Sequence, residues 1–360
     1  MKCSSKPPIQ EWKMTNSIDR RQLIAGGLAL GSVGILPSAA RAQTARLKMV
    51  LNWRYQGPQS FFFIAQDRGY LKQSGIDLTI DQGDGSGAAV GKVASGAYEV
   101  GFGDVNALIQ LAATRPEQAP IAVQMLFNSP PFTIAVKKNG PIKTPKDFEG
   151  RTIGGPANDG ALRLFPAFCK LAGVDISKVK ITNMAPNLRE NMLQRDQVDG
   201  VFGFVNTIRF SARLAKIDVD KEWTFIKYAD YGMDLYSNAM IVSKKLAKEQ
   251  PEVVRGLLRA INLGVVDTIK DPKGSIDFVT KREPLIQAPI EYDRLIATMQ
   301  DEMSHPEIAT LGLGDINDER MKKAISVLVE ATELPRTPDL SEIFDRSFLP
   351  PLAERPKKVI

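Results

Sequence analysis

One histidine and two cysteines in 360 residues leave little material for metal or redox chemistry. A multi-histidine metal site is excluded, and His305, followed by Pro306, reads as a turn residue rather than a catalytic base. Cys3 falls in a segment expected to be removed, so Cys169 stands alone in the mature chain and no intramolecular disulfide forms. With Leu164, Phe165 and Phe168 beside it, Cys169 reads as a small buried hydrophobe. The chain also lacks G-x-S-x-G, the P-loop, H-E-x-x-H and C-x-x-C, and its carboxylates form no recognisable acid/base pair. These absences point away from an enzyme and toward a binder that uses neither cofactor nor metal.

What is present is an ordinary globular balance, 43% hydrophobic and 24% charged, in a chain long enough for two lobes. The net charge of +6 is concentrated at the start. Residues 1–42 hold Lys2, Lys6, Lys13, Arg20, Arg21 and Arg41 against Glu11 and Asp19, which leaves the remainder close to neutral. Such a balance carries no nucleic-acid footprint and no polybasic membrane patch. Asp19-Arg20-Arg21 precedes an uncharged, glycine-rich run, Leu23–Leu36, and then Pro37 and Ala40-Arg41-Ala42. That run is shorter than the roughly 20 residues of a spanning helix and has the form of a signal peptide cleaved after Ala42. Its paired arginines resemble the twin-arginine signal, with a Sec signal as the alternative, and either implies export to the periplasm.

Short strand-like runs alternate with helical spacing from 47 to 245: Leu47–Leu51, Ile76–Ile80, Glu99–Gly103, Ile121–Phe127, Phe132–Lys137, Arg151–Gly154, Val179–Asn183, Gly200–Phe204, Thr224–Tyr228 and Ala239–Ser243. This alternation predicts an α/β fold with largely parallel sheets. Helices are expected over Phe61–Gln73, Ala88–Ser95, Ala161–Ala172 and Leu188–Arg195, and glycines after the first three supply their ends. From Pro251 the pattern turns helical, and the prolines after Pro335 suggest an extended tail on the surface. Asn128–Thr133 and Tyr236–Ala239 are the candidate crossings between lobes, a double connection that favours hinge closure.

Ligands of open α/β folds meet the ends of strands. Asn52 and Trp53 follow the first strand, with Tyr55 and Gln59 just beyond; an indole face beside an amide suits a small planar polar molecule, although Trp53 also has the makings of a core residue. Gly83-Asp84-Gly85-Ser86-Gly87-Ala88 matches a relaxed dinucleotide fingerprint, but the helix that follows is short and the strand before it is the second of the mature chain, so it reads rather as a tight turn, or as a helix start at Ser86 whose free N–H groups hold an anionic or polar ligand group. Asp104 and Asn106 follow a third strand, and Asn206 follows a strand of the second half. Asn158 and Asp159 precede a helix; one of them serves as its cap, or Asp159 faces the crevice and attracts an amine or ring N–H. Tyr236, in the second crossing, completes the candidate ligand set.

Several stretches, taken together in order, carry a resemblance over about 46–335: Leu51-Asn52-Trp53, Ala65–Lys72, Gly75–Leu78, Ala94–Gly101, Asp147–Gly154 and Pro251–Arg255. The chain resembles the periplasmic solute-binding proteins of ABC importers, in the superfamily of nitrate, sulfonate and taurine binders and thiamine-pyrimidine-synthase-like proteins. The resemblance implies a type II two-lobed periplasmic binding protein fold with two hinge crossings and a helical C-terminal part. The expected boundaries are a signal peptide at 1–42, a first lobe of 43–135 plus 238–345, a second lobe of 136–237 and a surface tail at 346–360. The implied partners are a small-molecule solute and an ABC permease with its ATPase, met by a monomer. Asn-Trp looks closest to the branch that binds thiamine-precursor pyrimidines, with sulfonate or taurine as second choice. Fungal members of that branch are synthases using a lysine, a histidine and a cysteine-rich stretch; here Gly103, Ala107 and Gly232–Ser237 stand at those positions, and Gln59 replaces a further histidine. The rival readings are a pyrimidine synthase and a secreted nucleotide-cofactor oxidoreductase.

Overall fold

The computed structural model describes residues 44–360, so the signal segment and Cys3 lie outside the described residues. Among the described residues, ten strands form two five-stranded sheets. The first has the order β2-β1-β3-β10-β4, from β1 (Ala45–Val50), β2 (Ile76–Asp81), β3 (Val100–Asp104), β4 (Ile121–Met125) and β10 (Asn238–Val242). The second repeats the pattern as β7-β6-β8-β5-β9, from β5 (Phe132–Lys137), β6 (Thr152–Gly155), β7 (Lys180–Asn183), β8 (Gly200–Phe204) and β9 (Trp223–Lys227). In each sheet the strand that arrives from the other lobe is the reversed one: β10 is antiparallel to β3 and β4, and β5 is antiparallel to β8 and β9. This is the two-lobed periplasmic binding protein architecture.

Helices flank the sheets: α1 (Ser60–Asp67), α2 (Tyr70–Gln73), α3 (Ser86–Ala94) and α4 (Val105–Thr114) with the first, and α5 (Gly160–Ala172), α6 (Arg189–Gln194), α7 (Val205–Leu214) and α8 (Val219–Glu222) with the second. The C-terminal part adds α9 (Lys244–Glu249), α10 (Pro251–Lys270), α11 (Pro272–Thr280), α12 (Ala288–Thr298), α13 (Ile308–Leu311), α14 (Asp318–Thr332) and α15 (Leu340–Ile343). The single helix expected over 61–73 is broken, because Gly69 takes the left-handed φ of 78° and ends α1 there. Helices α4 and α7 begin without a turn after β3 and β8, so no glycine or proline separates strand from helix at Asp104–Val105 or Phe204–Val205.

β5 pairs along its whole length with β8 or β9, so the second sheet takes up the chain at Phe132. In the stretch 346–360, Phe348 and Val359 are buried, and Leu313 donates its backbone N–H to the Pro356 carbonyl. The crossings bond to each other where Ser237 N–H meets the Phe127 carbonyl at 3.0 Å. A hinge held in this way bends as a pair and resists independent swivelling.

The first lobe's helices approach closely where α10 passes α1. A Cβ added at Gly264 would stand 2.2 Å from the Phe61 carbonyl oxygen, a distance no side chain tolerates. Gly264→Ala is therefore expected to cost about 1–3 kcal/mol in urea unfolding by forcing the two helices apart; an unchanged midpoint would contradict this packing.

Candidate functional site

The ends of β1, β6 and β8 and the starts of α3, α5, α6 and α7 converge between the lobes. They enclose a cavity lined by Asn52, Trp53 and Ser86 from the first lobe and by Asp159, Arg189, Phe204 and Thr207 from the second. Its space for the centre of a water molecule is about 20 Å³, little more than one water requires, so a ring-sized solute enters only when the lobes part. A larger groove of about 780 Å³ runs along the flank between α4, α5 and the end of α14, away from the strand ends, and includes Cys169. Burial pushes the Cys169 thiol up to about 12, so it is inert there.

Local chemistry explains the lining. Asn52 is held by Gln59, whose Nε2 donates to its Oδ1 at 3.0 Å. The Trp53 indole lies under the Arg189 guanidinium, 5.7 Å from ring centre to Cζ, so one wall is a flat face and the other a cation. Arg189 is only 1% exposed. Its Nε and Nη2 donate to Glu190 Oε1 at 2.9 and 2.6 Å, and its Nη1 donates to the Phe202 carbonyl at 3.3 Å. Asp159 Oδ2 stands 3.8 Å from the same guanidinium, while its Oδ1 caps α5 by accepting from Ala161 and Leu162. The cap and the cavity are thus served by different oxygens of one carboxylate, and burial still raises its pKa against the pull of Arg189.

Glycines let the lobes meet. A Cβ at Gly85 would stand 2.3 Å from the Asn158 carbonyl oxygen, and one at Gly87 would stand 2.6 Å from Arg163 Cδ. From the other side, a Cβ at Gly160 would come within 2.7 Å of Ser86 Oγ and 3.3 Å of Asp104 Oδ2. The glycine-rich loop is therefore pressed against the opposite lobe, with its close approach filled by protein backbone where a pyrophosphate would need to lie. Ser86 Oγ and Asp104 Oδ2 are buried without a partner. Asp104 caps α4 through Oδ1, and burial pushes its carboxyl up to about 7.

The remaining sequence candidates stand elsewhere. Tyr55 turns into its own lobe, its hydroxyl donating to the Ile80 carbonyl. Asn106 Nδ2 ties Asp104 Oδ1 to the Tyr236 carbonyl, which makes it a brace of the wall. Tyr236 donates to Glu307 and carries the Arg320 guanidinium 4.1 Å over its ring. Asn158 meets the first lobe through its carbonyl, and Asn206 points its amide to Asp301 and Glu302. Arg189, Phe204 and Thr207 escaped the sequence reading. Arg189 opens a short amphipathic helix next to an acid, which in sequence looks like a solvated ion pair, whereas Phe204 and Thr207 flank the Asn206 that polarity singled out.

Comparison with known proteins follows this geometry. A family described as NMT1/THI5 like matches residues 58–275. A 4-amino-5-hydroxymethyl-2-methylpyrimidine phosphate synthase of Legionella pneumophila is 22% identical over 253 residues, covering 68% of this chain and 76% of that protein. The riboflavin-binding protein RibY of Chloroflexus aurantiacus is 23% identical over 301 residues, covering 80% and 82%. Among solved structures, the alkanesulfonate-binding protein SsuA of Xanthomonas axonopodis pv. citri bound to MOPS superposes with a TM-score of 0.64 at 14% identity, covering 85% of this chain and all of that one. That likeness establishes the shared fold.

Two outcomes test this geometry. Gly160→Ala should enlarge the radius of gyration in solution scattering, because the added methyl obstructs the seam at Ser86, and should lower the unfolding free energy by about 1–3 kcal/mol, because it also comes within 3.1 Å of Phe132 in its own lobe; an unchanged radius would contradict the seam. Asp104 has a folded-state pKa above its ordinary value of about 3.9, so the unfolded chain releases its proton first and rising pH destabilises the fold until about 7. Wild type should therefore lose about 1–3 kcal/mol relative to Asp104→Asn, which keeps the cap, between about pH 5 and about pH 8 in urea unfolding; a constant difference would refute the shift.

Proposed function

Because the chain belongs to the NMT1/THI5-like family, we propose that it is a solute-binding protein that captures a neutral or protonated nitrogen heterocycle of the thiamine-precursor pyrimidine class between its lobes. The single observation that carries this reading is the charge state of the cavity. Its one lining cation, Arg189, is matched by Glu190 at 2.6 Å and has a second acidic group, Asp159, 3.8 Å away, while the Ser86 hydroxyl has no partner among the described residues. A sulfonate or nitrate would have to share Arg189 with Glu190 and lie beside Asp159, whereas a ring amine finds acceptors on both sides and a stacking face on Trp53. The riboflavin named for RibY is a neutral nitrogen heterocycle, and the Legionella relative is named for a pyrimidine phosphate, whose ring, though not its phosphate, has this character.

Solute capture works through differential affinity. Only the closed arrangement presents Trp53 and Asp159 to one molecule, so binding draws the lobes together in proportion to contacts made with both. The proposed setting is the periplasm, reached through the signal at 1–42, with an ABC permease and its ATPase receiving the solute unchanged. The synthase reading fares worse on a specific ground. The position resembling the fungal lysine is Gly103, where a Cβ would stand 2.8 Å from the Ser86 carbonyl oxygen and 2.9 Å from Ala89 Cβ. Helix α3 occupies the space a side chain would need.

Thermal denaturation with 4-amino-5-hydroxymethyl-2-methylpyrimidine, taurine and MOPS tests the proposal. A solute at about 100 times its Kd stabilises by about 2.7 kcal/mol. The pyrimidine should raise the melting point and Trp53→Ala should abolish that rise without lowering the solute-free value by more than a few degrees. Stabilisation by the sulfonates alone would overturn the solute class, and chemical conversion of the pyrimidine would overturn the binder.

A further inference from the structure

Both crossings between the lobes converge on one acid of the C-terminal part. Past Thr298, α12 widens into a π-helical turn, Met299–Met303, and the chain then reaches Glu307, the residue before α13. Glu307 Oε1 accepts from Asn128 Nδ2 of the first crossing at 2.9 Å, and its Oε2 accepts from the Tyr236 hydroxyl of the second at 2.8 Å. Arg320 of α14 supplies the counter-charge: its Nη1 donates to Glu307 Oε1 at 3.2 Å, and its guanidinium lies 4.1 Å over the Tyr236 ring. The Glu307 side chain is 8% exposed, so these charge-assisted bonds are shielded from water.

This cluster is fastened to the first sheet. Asn317, which caps α14, donates its N–H to the Tyr236 hydroxyl at 2.9 Å, and Gly314 just before it accepts from Met125 of β4 at 2.8 Å. Further bonds mark how far along each crossing the hold extends. In the first, Ser129 donates its N–H to the Glu302 carbonyl at 2.9 Å and its hydroxyl to the Ser304 carbonyl at 2.8 Å. Two residues on, the Pro131 carbonyl accepts from the Val205 N–H of α7, so Pro131 already belongs with the second lobe. In the second crossing, Arg320 Nη2 donates to Asp234 Oδ1 at 2.9 Å, whereas Met233 donates its N–H to the Tyr228 carbonyl of the second lobe at 3.3 Å. Each crossing therefore passes from one lobe to the other within a residue or two, at Pro130 and between Met233 and Asp234.

We infer that Glu307 is a positioning residue of the solute site: by binding Asn128 and Tyr236 it makes the near halves of both crossings part of the first lobe and confines the bend to Pro130 and the Met233–Asp234 peptide. This rests on the reading of two lobes that close on a solute. The two joints suit the role. Proline has no N–H to lose and a fixed φ, so Pro130 turns about little more than its ψ. At the other joint, Leu235 N–H reaches back to the Met233 carbonyl at 2.9 Å, a tight turn about Asp234, and Gly232 beside it takes the left-handed φ of 88°. Two short joints swing a lobe as one body, which returns Trp53 and Asp159 to the same facing positions at each closure. A loosened hinge lowers the fraction of molecules in the binding arrangement and weakens the apparent affinity in proportion.

The test measures the distance distribution between spin labels at K72C in α2 and R195C just past α6, both exposed and one on each lobe, with the buried Cys169 left in place. Y236F keeps the ring under Arg320 and loses only the hydroxyl, and E307Q offers an acceptor oxygen to one crossing but not to both. Each should give a broader solute-free distribution than the parent, and so should P130G, which removes no hydrogen bond but frees the joint. E342Q weakens the Arg336–Glu342 pair, away from the crossings, and should leave the width unchanged even where it lowers the melting point. Unchanged width in Y236F or E307Q would overturn the role of Glu307, unchanged width in P130G would overturn the placement of the joint, and equal broadening in E342Q would overturn both. With 4-amino-5-hydroxymethyl-2-methylpyrimidine added, the parent distance should shorten and Kd should weaken at least about threefold in Y236F and E307Q. Broadened variants beside a parent that ignores the pyrimidine would count against the solute class and leave the hinge assignment standing; a responsive parent beside variants of unchanged width would overturn the hinge assignment alone.

Discussion

A buried guanidinium whose charge is matched within its own lobe is the constraint on which the candidate site turns. Arg189 is fixed by Glu190 and the Phe202 carbonyl before any solute arrives. Its guanidinium lies 5.7 Å from the centre of the Trp53 ring with its charge already matched. Removing the carboxylate from such a pair leaves an uncompensated buried charge, which is why the pair and not the arginine alone defines the site's polarity. Asp159, which shares this environment while capping α5, places a second acidic group beside the guanidinium.

The same fold that places these groups also makes them separable. Each sheet receives one reversed strand from its partner, so the two crossings run side by side and join at Phe127 and Ser237. Across the seam Gly85 meets Asn158, Gly87 meets Arg163 and Gly160 meets Ser86, approaches too close for a side chain at any of the three.

Much of this architecture was legible in the sequence, for identifiable reasons. Ten apolar runs bounded by glycine or polar residues mark the ten strands, and left-handed Gly173 marks the end of α5. Helices α4 and α7 were not legible because Asp104 and Phe204 are at once the last strand residue and the helix cap, so no turn signal separates the elements. At the site, the rule that strand ends face the crevice located Asn52, Trp53, Ser86 and Asp159. It could not tell which way a polar side chain points. Tyr236 and Asn106 sit at the right level but turn into the wall.

The most direct test of the central claim is mass spectrometry of the native protein isolated from the cells that produce it, followed by identification of any small molecule released on unfolding. A neutral or basic nitrogen heterocycle, recovered chemically unaltered and able to rebind, is the predicted result. Recovery of a sulfonate or another anion, or of a product generated from a heterocycle supplied to the protein, would contradict the account.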